Sequence, residues 1–136
     1  MVDGYIMVDG KRDSILEIKT SHDRAKWLDE NGGYSNVPMT YQLQASLYAE
    51  LAGLDRIVFV VGFLEESDFI RPTAWKPSEE NTFIIVKDKL DMSGYMSDAE
   101  AWYKEFILSG YTPEWDDDKD ADLLKYLRAG TKKNKR

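Results

Sequence analysis

The sequence predicts an α/β domain built on a mixed β-sheet. Three observations carry the prediction. An Asp9-Gly10 turn separates two stretches rich in strand formers, the signature of a tight hairpin. The apolar run RIVFVVGFL at residues 56–64 has the length and the Val/Ile content of a strand buried on both faces. Between hairpin and run, a segment with helical character starts after Pro38 and stops at Gly53. Strands that alternate with a helix in this way belong to α/β architectures.

The elements follow in chain order. VDGYIMV at residues 2–8 and SILEIKT at 14–20 are the two arms of the hairpin. Residues 21–37 are polar and contain Gly32-Gly33, so they read as loop with a short helix around Arg24–Asp29. In the helix after Pro38, Leu43, Leu47 and Leu51 form a stripe that reads as its core face. Residues 65–81, with Pro72 and Pro77, read as loop, and TFIIVK at 82–87 as a further strand. Ser97 and Glu100 have capping-box spacing. The helix they would open is expected to bury Trp102, Tyr103, Phe106 and Ile107 and to end at Ser109-Gly110. A last helix over about 118–129 is marked by Leu123, Leu124 and Leu127. The expected organisation is one domain over 1–129 with a basic tail at 130–136.

Composition narrows the chemistry. There is no cysteine, which excludes disulfides, thiolate zinc sites and thiol catalysis, and His22 is the single histidine, which excludes two-histidine metal sites. No apolar run approaches the roughly 20 residues of a membrane span, so a soluble, intracellular chain is expected. The net charge of -7 argues at first against nucleic acid, but the charge is unevenly placed. Six acids lie between Glu114 and Asp122, and six bases without an acid between Lys125 and Arg136.

The return arm of the hairpin carries an unusual set of charges. Glu17 and Lys19 share one face of the strand, and Leu16 and Ile18 share the other. In a central strand such a pair is costly unless it is matched or binds something; in a surface hairpin it would be a solvated ion pair. A three-residue turn, Asp9-Gly10-Lys11, would set Val8 against Arg12 and Asp3 against Glu17. Opposed carboxylates repel, and a cation between them relieves this. Hard oxygen ligands suit Mg2+ or Mn2+. In the helix after Pro38, Gln44 and Tyr48 lie four residues apart on one face, with Tyr41 one turn earlier.

In combination, Asp3 in VDGYI, Glu17-Ile18-Lys19 in LEIKT and Gln44-Ala45-Ser46-Leu47-Tyr48 resemble the motifs of the PD-(D/E)XK nuclease superfamily. The Gln-x-x-x-Tyr spacing is similar to the RecB-like branch. Trp27, Pro38, Gln42-Leu43-Gln44, the acidic turn after VVGFL and the late WYKEFILSGYTPEW stretch look most like the phage lambda exonuclease and YqaJ viral recombinase group.

The resemblance implies a restriction-endonuclease-like core, a central mixed sheet flanked by helices, here without the first helix and strand that usually precede the Asp-bearing strand. It implies a metal-dependent DNA nuclease of the phage recombination exonuclease type, acting in the cytoplasm of a bacterial or phage-infected cell. Asp3, Glu17 and the Ile18 carbonyl would hold Mg2+ or Mn2+, with Lys19 and Gln44 as catalytic partners. Tyr48, Thr20, Ser21, His22 and Tyr41 would meet DNA. The resemblance also implies homo-oligomers, with contacts at residues 65–81 or the hairpin edge, and a single-strand annealing protein as partner. The alternative is a nuclease-like DNA-binding or regulatory module that is catalytically incomplete on its own.

Overall fold

The computed structural model describes residues 1–131. The chain is α/β, with one open, mixed four-stranded sheet whose strands lie side by side in chain order. Strands β1 (Gly4–Val8) and β2 (Lys11–Ser21) are antiparallel, β2 and β3 (Arg56–Phe63) parallel, and β3 and β4 (Thr82–Asp88) antiparallel. Helix α1 (Met39–Ala52) lies in the crossover between the parallel strands. Short helical turns cover Arg24–Trp27 and Pro72–Ala74, and α2 (Glu66–Ile70) lies in the segment expected to be loop. Among the described residues, no helix is long and apolar enough to cross a membrane.

The hairpin forms as the sequence predicts, but by a different turn. Val8 pairs with Lys11, so the loop holds two residues and not three. Asp9 and Gly10 both adopt positive φ, 49° and 74°, as a tight turn matching the strand twist requires. The register then shifts by one between Ile6 and Met7, leaving Asp13 as the extra residue of a bulge. The ladder ends at Gly4↔Leu16, one step short of Asp3 and Glu17, the pair that the longer turn is expected to oppose.

The core sits between α1 and one side of the sheet. Its strand members are Ile15, Ile57, Phe59, Val61, Phe63 and Ile85, all odd-numbered, as the alternation of side chains demands. Trp27, Val37, Ala45 and Ala49 close it from the loop and helix side. The leucine stripe expected to face the core does not do so. Leu51 is 70% exposed, while Ala45, Ser46 and Ala49 are buried. Small residues let the helix backbone approach the strands closely. The helix is pinned at its start by the Gln42 amide donating to the Val37 carbonyl at 2.6 Å. It stops at Gly53, whose φ of 68° suits glycine.

The even-numbered side of the sheet is apolar but open. Ile18, Ile84 and Val86 are exposed, while Val58 is largely covered, as expected for the central strand β3. At Gly62 the Trp75 ring takes the place of a side chain, with ring carbons 3.0 Å from where a Cβ would stand. The Trp75 indole N–H donates to the Phe63 carbonyl at 3.1 Å.

The chain divides into two compact units, the first Met1–Ser93 and the second from Gly94 onward. Helix α3 (Ser93–Trp102) begins four residues before the expected cap. Asp91 accepts the Ser93 amide and hydroxyl, so Ser97 and Glu100 lie inside the helix. A π-helical turn, Tyr103–Leu108, extends α3. The expected burial of this segment is not seen: Trp102, Tyr103 and Ile107 are about half exposed, with Phe106 packed on Trp102. Among the described residues of this unit Leu124, on α4 (Ala121–Thr131), is buried, so the aromatic face has little to pack against. The basic tail expected at 130–136 lies, from residue 132 on, outside the described residues.

Candidate functional site

Strand β2 turns its charges inward and its apolar pair outward. Ile15, Glu17 and Lys19 share the side covered by α1, and Leu16 and Ile18 face the open side. Glu17 is 2% exposed, so the solvated ion-pair alternative does not hold. One oxygen, Oε2, lies 3.1 Å from the Lys19 ammonium. The other, Oε1, is buried with no hydrogen-bond partner. A buried carboxylate oxygen without a donor is costly, and native structures tolerate few such atoms.

Lys19 is held between strand and helix. Its ammonium lies 4.9 Å from the centroid of the Tyr41 ring, in the first turn of α1. Tyr41 stacks on buried Trp27, with centroids 5.9 Å apart and planes inclined by 27°. Trp27 meets Phe63 edge-on, so the platform rests on the core. Tyr41, which the resemblance assigns to DNA, thus has Trp27 and the Lys19 ammonium as neighbours of its ring.

Asp3 enters through the main chain. Its Oδ2 accepts the Ile18 N–H at 2.7 Å, in place of a ladder bond where β1 has not yet begun. This ties the carboxylate to the residue between Glu17 and Lys19 and leaves its other oxygen without a hydrogen bond among the described residues. Gln44 is exposed, and its amide donates to the Tyr48 hydroxyl at 3.2 Å, the contact expected from their spacing. The same hydroxyl accepts the Met1 amino group at 2.9 Å.

The residues after Lys19 join the site less closely. Thr20 is exposed and alternation places it on the opposite side of the sheet from Lys19. The Ser21 hydroxyl is engaged in the turn that follows, accepting the Asp23 amide at 3.2 Å. His22 is exposed in that turn.

The donors present fit a hard divalent cation. The orphaned Glu17 Oε1, the free Asp3 oxygen and the main-chain carbonyl of Ile18 are the oxygen types that Mg2+ or Mn2+ prefers. Among the described residues no group of three or more His, Asp and Glu side chains gathers at one place, so a third ligand would come from the backbone or water. The sequence marks Glu17, Lys19, Asp3, Gln44 and Tyr48. It gives little notice of the Trp27–Tyr41 support, whose trace is Tyr41 standing one turn before Gln44.

No known family matches the sequence, and no solved structure matches it. The chain is similar to "Uncharacterized protein MG373" of Mycoplasma genitalium, 28% identical over 109 residues that cover 78% of this chain and 34% of that protein. It is also similar to the MG373 homolog of Mycoplasma pneumoniae, 27% identical over 77 residues, 54% of this chain and 27% of the relative. The matched part thus spans between about a quarter and a third of the length of these relatives, whose names carry no activity.

Proposed function

We propose that this chain carries the core of a divalent-metal-dependent DNA nuclease with a restriction-endonuclease-like fold, of the phage recombination exonuclease type. The observation that carries the reading is the Glu17–Lys19 pair on a central strand, buried beneath a helix and with one carboxylate oxygen unsatisfied. A structural ion pair gains nothing from an orphaned oxygen; a cation-binding carboxylate requires one.

Asp3, Glu17 and the Ile18 carbonyl would hold Mg2+ or Mn2+. When bound, the ion supplies positive charge that polarises the scissile phosphate and acidifies water. The chain's own residues do the rest. Glu17 Oε2 keeps the Lys19 ammonium beside the metal ligands. From there Lys19 donates to a phosphate oxygen and orients the attacking water, stabilising charge that grows in the transition state. The Ile18 amide fixes Asp3. Gln44, exposed on α1, offers its amide to the DNA backbone, with the half-buried Tyr48 hydroxyl as its anchor.

The test is hydrolysis of linear duplex and single-stranded DNA by the full chain with Mg2+ or Mn2+. Turnover is expected to fall by about 10²–10³-fold in Glu17→Gln and in Lys19→Ala, the scale of losing one charge-stabilising group. Wild-type protein that leaves both substrates intact with either ion overturns the nuclease reading.

A second reading is a nuclease-like DNA-binding or regulatory module, incomplete by itself. It is favoured by the lack of a third acidic side chain near Asp3 and Glu17 among the described residues. Binding of DNA and Mn2+ without cleavage would support it.

A further inference from the structure

We propose that Tyr41 is a positioning residue that holds the Lys19 ammonium at the Glu17 carboxylate through the face of its ring. Its part in a reaction rests on the nuclease reading above; the placement of Lys19 does not.

A lysine has four rotatable bonds and three donors, so one ion-pair contact leaves its ammonium free to swing. Here the ammonium has a second partner, the Tyr41 ring at 4.9 Å, approaching from the helix and not from the strand. Within this range the negative face of an aromatic ring attracts a cation, and the attraction strengthens as water is removed. Lys19 is 18% exposed at its side chain, so much of that water is gone.

The ring itself is fixed. Trp27 stacks behind it and is 1% exposed. The helix turn that carries Tyr41 is anchored by the Gln42–Val37 hydrogen bond. Lys19 is thereby oriented by parts of the chain that carry no candidate metal ligand, the loop at Trp27 and the first turn of α1.

The experiment reads the lysine directly, in the metal-free chain. A cation over a ring lies in its shielding zone, so the Lys19 ε-methylene protons are expected upfield of those of the exposed lysines. Tyr41→Phe keeps this shift, and Tyr41→Leu, which retains apolar bulk, removes it. In DNA hydrolysis with Mg2+, Tyr41→Leu lowers kcat on the order of tenfold with KM for DNA little changed, and Tyr41→Phe restores kcat. An unshifted Lys19 in the wild-type chain, or a shift that survives Tyr41→Leu, overturns the placement. A shift that behaves as expected in a chain that cleaves no DNA upholds the placement and defeats the nuclease reading instead.

Discussion

Glu17 and Lys19 set the proposed function against stability within one residue pair. Both lie under α1, and a carboxylate at 2% exposure has given up nearly all of its hydration. In many proteins the attraction between such charges does not recover the cost of drying them. Exchanging both for apolar residues of similar length, Glu17→Leu with Lys19→Met, is therefore expected to leave stability unchanged or to raise it by about 1–4 kcal/mol. Lys19→Met alone leaves a buried carboxylate without its cation and is expected to cost about 3–5 kcal/mol. Urea denaturation of the three chains decides it. A double variant as unstable as Lys19→Met would mean that the pair is kept for structure and not for chemistry. The sequence shows that these two side chains share a face; it does not show which face. Leu16 and Ile18 argue for the opposite orientation, and Ile18 ends up 55% exposed. What decides is where α1 lands, a property of the crossover and not of the strand.

At the scale of elements, those with strong local signals are legible. The Asp9-Gly10 turn, the ends of α1 and the apolar run of β3 each depend on a few neighbouring residues. The core face of α1 was not legible from leucine spacing, because alanines at 45 and 49 win where helix and strand come close. The loop between β2 and α1 has its own internal support. The Ser35 hydroxyl, then the amides of Gly33, Asn31 and Gly32, hold the Asp29 carboxyl below its usual 3.8. The folded loop therefore binds fewer protons than the unfolded one. Its contribution is full above the ordinary aspartate range and is lost as pH falls through the lowered value. This loop also carries the Trp27 end of the aromatic platform. Amide resonances of residues 29–35 are expected to move to unfolded positions only on acidification below the usual carboxylate range, as pH falls through the lowered Asp29 value. In Asp29→Ala they should be unfolded already at pH 6; resonances insensitive to both changes would remove Asp29 from this role.

Across the whole molecule, net charge is a poor guide to what the chain meets. Two acids have a proposed task at a cation, which reverses the local sign, and six others lie between Glu114 and Asp122 in the second unit. The topology also sets an order of assembly. The β1–β2 hairpin closes across two residues, whereas the parallel ladder pairs Ser14 with Arg56 and must wait for the intervening loop and α1. Local hairpins close in about 1–10 μs, and distant pairings bear the entropy of a longer loop. Asp3 and Glu17 are therefore neighbours early, while Lys19 gains its aromatic partner only when α1 docks. Pulsed hydrogen exchange during refolding should protect the Ile18 amide, which bonds to Asp3, before the amides of β3; the reverse order would refute this sequence of events. For a nascent chain the consequence is a time interval. If Asp3 and Glu17 hold a cation as proposed, both reach the hairpin before Lys19 is held in place, and a divalent ion in the surrounding solution would then stabilise a folding intermediate as well as the proposed site.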